Sequence, residues 1–283
     1  MNLKAINLSL AMVTGFAFAA LAQAPRVEFP APSPASTVKQ RVGLTDIEIV
    51  YSRPGVKGRT IFGGLVPYGE VWRTGANQST KVTFSTPVKI NGTQVPAGTY
   101  ALYTIPKANE WTVILYKNTA LASTADYDPN DDIARVNVKP VKLSQAVESF
   151  TIDVNDIRDE SATLNLTWDK TRVSVKLEVE LKSRLVPQIE AAMAAPEGTK
   201  PYYQAAMFYY DHGLDLEKAR KWIDAAVAER EAHFTVHLKA KILAKLGDKA
   251  GAIAAAKLST ELAIKAKDNS YVKLNKDLIS SLR

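Results

Sequence analysis

Between residues 37 and 181 apolar positions recur at every second residue, in segments separated by turn-forming clusters. Ile47, Ile49 and Tyr51 fall on one face, as do Val82 with Phe84, Tyr100 with Leu102, and Trp111 with Val113 and Leu115. Later come Val136 with Val138, Phe150 with Ile152 and Val154, Leu164 with Leu166 and Trp168, and an unbroken alternation from Val173 through Val175, Leu177 and Val179 to Leu181. Side chains alternate between the two faces of a strand, so this period predicts about nine or ten short antiparallel strands, each with one face buried. Asn91-Gly92, set between Val88-Lys89-Ile90 and Thr93-Gln94-Val95, predicts a two-residue hairpin. Pro96-Ala97-Gly98 redirects the chain, and Asp169-Lys170-Thr171 predicts another hairpin between Trp168 and Val173. That many strands in this length fits a two-sheet β-sandwich better than a small closed barrel.

At Leu181 the period changes to that of a helix. Leu185, Ile189 and Met193 share one helix face, and Pro196-Glu197-Gly198 ends the segment. Residues 202–212 and 216–230 then pair through Gly213, and residues 233–246 and 249–267 pair through Gly247. The second pair repeats the first: Ala219, Trp222 and Ala226 correspond to Ala252, Ala255 and Ser259 after a one-residue slip. A period of about 34 residues with small side chains at the helix crossings is that of tetratricopeptide-like helical hairpins. Two such pairs need caps, which the helix before Pro196 and a last helix over residues 271–282 would supply. The fold class read from the pattern is therefore α+β in two domains, an antiparallel β-sandwich (37–182) followed by a TPR-like helical region (183–283).

Composition adds the compartment. Lys4 followed by an apolar run over residues 5–21, with Ala20 and Ala22 ahead of Gln23, reads as a signal peptide over residues 1–22, and residues 23–36 as a proline-rich extended leader. The expected location is exported, periplasmic or secreted, with no integral membrane segment after cleavage. The chain has no cysteine, which excludes disulfides, thiolate nucleophiles and cysteine-based zinc sites. With 46% apolar residues it can hold itself together by its core. The formal charge of +7 is spread along the chain. It favours anionic partners, but without the clustered basic and aromatic pattern of a nucleic-acid surface.

Candidate chemistry concentrates in residues 51–80, YSRPGVKGRTIFGGLVPYGEVWRTGANQST, a connection far longer than the usual loop of about five residues. Its candidate ligand-binding residues are Arg53, Lys57, Arg59, Tyr68, Trp72, Arg73 and Asn77, alongside Tyr51. Arginine offers a planar fork to carboxylate, phosphate or sulfate, and the aromatic rings offer flat faces to a sugar or peptide. Packing supplies the competing reading, with Trp72 in the core and the arginines bonded to loop carbonyls. No residue is assigned as catalytic. All three histidines, His212, His233 and His237, lie in the helical half, so a His-dependent triad confined to the strands is impossible. His233 and His237 share a helix face but have no third ligand in view, and no metal is assigned. The carboxylates Glu70, Asp153, Asp156, Asp159 and Glu160 are the residues a glycan hydrolase would draw on. Residues 55–60 lack the glycine spacing and the Lys-Ser/Thr of a nucleotide loop, and no motif calls for a cofactor.

Tyr51-Ser52-Arg53-Pro54, Lys57-Gly58-Arg59, the run Ile61-Phe62-Gly63-Gly64-Leu65-Val66-Pro67-Tyr68-Gly69 and Val71-Trp72-Arg73-Thr74-Gly75-Ala76-Asn77 closely resemble the signature of domain-of-unknown-function family 2911. Pro96-Ala97-Gly98-Thr99-Tyr100, Trp111-Thr112-Val113-Ile114-Leu115, Val147-Glu148-Ser149-Phe150 and Leu164-Asn165-Leu166-Thr167-Trp168 extend the resemblance over about residues 30–182. The family is common in exported proteins of Bacteroidetes-type bacteria, and the resemblance implies a β-rich exported domain without supplying a catalytic residue, cofactor or substrate. The expected function is an exported, non-catalytic binding or scaffold protein. Its strand domain would hold an anionic glycan or small anion, and its helical groove a protein or peptide; Tyr203, Phe208, Tyr209, Tyr210 and Trp222 are candidates to line that groove, although aromatics at helical spacing are more often core. The alternative is a carboxylate-dependent hydrolase of cell-envelope glycans.

Overall fold

A computed structural model describes residues 28–120 and 123–283; the expected signal peptide lies outside them. Ten strands and six helices follow in order among the described residues. β1 (Ala35–Val42), β2 (Thr45–Ser52), β3 (Thr80–Phe84), β6 (Gly98–Ile105), β7 (Trp111–Tyr116) and β8 (Asp132–Val138) form one antiparallel sheet, in the order β1-β2-β3-β6-β7-β8. β4 (Val88–Ile90), β5 (Thr93–Val95), β9 (Val141–Asn155) and β10 (Ser161–Val179) form a second, in the order β5-β4-β10-β9. The alternating residues of both sheets meet in one core, with Ile47, Ile49, Phe84, Leu102, Trp111 and Leu115 from the first sheet and Phe150, Ile152, Leu166, Trp168, Val175 and Leu177 from the second.

The Asn91-Gly92 hairpin forms as its residues demand: both positions have positive φ (43° and 84°), the backbone of a tight hairpin turn. The hairpin expected at Asp169-Lys170-Thr171 does not. β10 runs through it as one 19-residue strand, and Asp169, at φ 48°, sits in a pairing irregularity against β9. Turn-forming residues serve a bulge as well as a hairpin, because both can use a residue with positive φ, and the partner strand decides which forms.

The helices are α1 (Lys182–Ala194), α2 (Tyr202–Asp211), α3 (Leu216–Glu229), α4 (His233–Lys245), α5 (Lys249–Lys265) and α6 (Asn269–Ser281). Asp215, Asp248 and Asp268 cap the starts of α3, α5 and α6 by accepting backbone N–H bonds. The turns before α3 and α5 carry Gly213 (φ 64°) and Gly247 (φ 88°), which take the left-handed step that ends the preceding helix. Ala219, Ala226, Ala252, Ala255, Ala256 and Ser259 are buried where the helices cross. Tyr209 and Trp222 take the core place that helical spacing favours rather than a place in the groove: their rings meet edge to face 4.7 Å apart and both are buried. Tyr203, Phe208 and Tyr210 remain partly buried around that cluster. Among the described residues no helix is long and apolar enough to cross a membrane.

The β9–β10 turn faces the helices. His212 lies 3.5 Å from Asp159 and 3.8 Å from Glu160, and Lys182 lies 3.3 Å from Glu160. Asp153 accepts amide bonds from Asn155 and Asn165, and Asp156 takes the positive φ of the turn.

Candidate functional site

Residues 51–80 leave the first sheet at the end of β2, cross to the second sheet, and return to β6 before entering β3. Their first part follows the outer edge of β9. The outward-facing groups of that edge belong to alternate residues, and those of Phe150 and Ile152 are matched together with the Glu148 carbonyl. Tyr51 Oη accepts from Ile152 N (3.0 Å) and donates to Ile152 O (3.4 Å), Pro54 O accepts from Phe150 N (2.9 Å), Arg53 Nε donates to Phe150 O (3.0 Å), and Val56 N donates to Glu148 O (2.8 Å). Unpaired strand edges invite aberrant pairing, and this segment covers one. Its last part pairs with β6 through reciprocal bonds between Trp72 and Thr104 (2.7 and 3.0 Å) and a bond from Gly69 N to Pro106 O. Between these anchors Ile61 and Val66 are buried, and Phe62 and Trp72 pack on the core, so the connection closes one end of the two sheets. Trp72 and Trp168 stack at 5.8 Å with their planes 18° apart, and Trp72 Nε1 donates to Gly75 O (3.1 Å).

This path divides the expected site residues. Arg59, Trp72, Arg73 and Asn77 come together around a cleft of about 300 Å³, with Leu65, Val66 and Trp168. Arg53 is not among its lining residues; the guanidinium bonds to Phe150 O and Thr151 Oγ1 on β9. Lys57 reaches Pro32 O, and its own N–H bonds Glu148 Oε1. Tyr68 lines a different cleft with Phe62 and Trp111. Glu70, the acid a hydrolase at this loop would use, lines neither cleft. Trp168 and Ser33 join the first cleft although the sequence pattern marked them only as a strand residue and a leader residue. Their places depend on contacts across the two sheets.

The electrostatics of the first cleft follow from how its cations are held. Arg59 donates from Nε to Val56 O (3.1 Å) and from Nη2 to Gly55 O (2.6 Å), and Arg73 Nη1 donates to Asn77 O (2.7 Å). These loop-carbonyl bonds are the ones the packing reading expects, and a carbonyl, unlike a carboxylate, brings no negative charge to the guanidinium it holds. No carboxylate is among the side chains that line the cleft. Tyr103, buried behind Arg73, adds no negative charge: burial pushes its phenol up, against smaller opposing effects of the Ser79 hydrogen bond and Arg73. The backbone here is strained. Thr74, β-branched and fully buried, sits at φ 52°, held by its hydroxyl to Thr104 Oγ1 (3.0 Å) and by Thr80 Oγ1 on its carbonyl (2.6 Å).

His233 and His237 are engaged within the helical half, whereas His212 faces the β9–β10 turn. His233 Nε2 lies 3.4 Å from Asp268, and His237 Nδ1 shares a 2.7 Å bond with Asn275 Oδ1. Asn275 in turn donates to Ser259 Oγ (2.8 Å), which donates to His233 O (2.7 Å). Among the described residues no group of three His, Asp or Glu side chains is placed to hold a metal ion.

A family model described as a protein of unknown function (DUF2911) matches residues 33–177. No curated protein and no solved structure matches the chain. The matched span contains all ten strands up to the last two residues of β10, and both clefts, but none of the six α-helices.

Proposed function

The chain belongs to the DUF2911 family of proteins of unknown function, and we propose that this member is an exported, non-catalytic binding protein that holds an anionic sugar or a similar small anion in the cleft of Arg59, Arg73 and Asn77. One observation carries the reading. Arg59, Arg73, Asn77 and the edge of half-buried Trp72 surround one cleft whose lining has no carboxylate. Such a site presents donors already oriented for a carboxylate or sulfate, with an aromatic surface beside them for the ring that carries it. The strained Thr74 supports it, since backbone strain gathers where a structure positions groups for a ligand. The N-terminal apolar segment supports export, and the helices offer their partly exposed aromatic face to a protein or peptide.

Trp72 and Trp168 report on the cleft directly. Titration of the purified protein with a uronic-acid or sulfated oligosaccharide should give a saturable change in tryptophan fluorescence and a rise in Tm. The Arg59→Gln/Arg73→Gln variant should bind at least about tenfold more weakly, the loss of one charge-assisted bond or more. Because these arginines also hold loop carbonyls, Asn77→Asp provides a second variant, which adds a negative charge at the rim and should weaken binding while the protein stays folded by circular dichroism. An oligosaccharide that changes neither fluorescence nor Tm would refute the reading, and so would binding that survives both variants.

A further inference from the structure

The bulge between β9 and β10 places two lysines where a regular ladder would not. From Asp169↔Val147 to Thr171↔Lys142 the pairing advances two residues on β10 (169 to 171) and five on β9 (147 to 142). Continued from Thr167↔Thr151, ahead of a first shift at Asp169, a regular antiparallel ladder would put Val147 opposite Thr171. The looped-out residues of β9 instead bring Lys142 there, beside Lys170 in the irregular part of β10. Lys107, in the connection between β6 and β7, completes the set: Lys107, Lys142 and Lys170 line one cleft of about 210 Å³ with Tyr68, Phe62 and Trp111. All three lysines are exposed, and none of their ammonium groups forms an ion pair or a hydrogen bond among the described residues. Gly63 lets Tyr68 lie across this cleft, because a Cβ there would come within 2.7 Å of the tyrosine ring.

We infer that this cleft is a second anion site, which takes a phosphate or sulfate ester group between Lys107, Lys142 and Lys170. Three like charges around one opening, beside the apolar Trp111 and Phe62, focus a positive potential that an oxyanion relieves. Ammonium groups are compact point charges that match the spread charge of a tetrahedral oxyanion, and the Tyr68 hydroxyl supplies a further donor. The volume decides what enters. It is below the roughly 300–1,000 Å³ of sites that enclose a drug-sized molecule, so the cleft accommodates a terminal charged group and leaves the rest of its carrier outside. The site is separate from the arginine cleft, with which it shares no lining residue, although Phe62 here packs edge to face on Trp72 there (6.0 Å).

Phosphate on a soluble molecule and phosphate on a lipid headgroup offer the same chemistry, and two probes separate them. The first is inorganic phosphate followed by ³¹P line broadening on the purified protein; the second is co-sedimentation with vesicles containing phosphatidylglycerol. Each is repeated with Lys107→Gln/Lys142→Gln/Lys170→Gln and with Arg59→Gln/Arg73→Gln. The lysines are exposed, so the triple variant should keep its fold. Saturable broadening that weakens at least tenfold in the lysine variant and persists in the arginine variant supports the site and a soluble carrier. Vesicle binding lost in the lysine variant, without broadening, supports it with a lipid carrier. Absence of both signals overturns the inference, as does a signal that survives the lysine variant or disappears with the arginine variant.

Discussion

Tyr51→Phe removes one oxygen atom from the anchor that fixes residues 51–56 to β9. The ring stays buried, with its edge-to-face contact to Phe150 (5.8 Å, 87°) intact, so no cavity larger than a hydroxyl is left. What is lost is the acceptor for Ile152 N, a 3.0 Å bond at a residue that is 1% exposed, and the long 3.4 Å bond to Ile152 O. A buried N–H left without a partner costs about 1–3 kcal/mol, while the bond to the carbonyl is near the limit of useful length and adds little. The expected destabilisation is about 2 kcal/mol, or about 4–8 °C in Tm for a domain of about 150 residues. Urea unfolding followed by far-UV circular dichroism measures the first, and hydrogen exchange should show the Ile152 amide losing protection. Tyr100→Phe is the control. It removes the same atom, but from a bond to Pro96 O (2.9 Å) on an exposed residue, where water replaces the donor, so it should cost less than half as much. A Tyr51→Phe loss below about 0.5 kcal/mol, or equal losses for the two variants, would refute the claim that this stretch seals the edge of β9.

Two further outcomes follow from the geometry. Gly63→Ala should destabilise the protein by about 1–2 kcal/mol in urea unfolding, because φ 82° is unfavourable for alanine and its Cβ meets the Tyr68 ring; an unchanged midpoint would mean that the loop shifts freely. Burial holds the His237 imidazole below its ordinary 6.5, with Lys241 adding to the fall and the Asn275 bond opposing it. The unfolded chain then takes up this proton more readily than the folded one. The residue's contribution is therefore complete above pH 6.5 and is lost as pH falls through the lower folded-state value. Between about pH 7.5 and about pH 5 the protein should lose stability relative to His237→Gln, and a difference that stays constant would contradict the assignment.

The two halves were legible in different ways. Period two and the Asn91-Gly92 turn locate strands because alternation of side chains is a property of the backbone itself. The glycines and small residues of the helical half locate its hairpins because close crossings admit little else. Asp169-Lys170-Thr171 misleads for a physical reason: a residue that takes positive φ suits a bulge and a hairpin alike. The aromatic residues follow the commoner outcome of helical spacing, since Tyr209 and Trp222 are covered by each other's helices and lie in the core.

Residues 51–80 mark the limit most clearly. Their composition by itself singled out a stretch of cations, aromatic rings and glycines, and its resemblance to a family, because residue types are local. Which cations act together was decided only by the tertiary structure. Arg53 is drawn onto the edge of β9, Tyr68 turns toward lysines from three separate elements, and Arg59, Arg73 and Asn77 meet around a tryptophan stacked on β10. Those groupings depend on strand register and on one bulge between residues distant in sequence, and no local pattern encodes such a register.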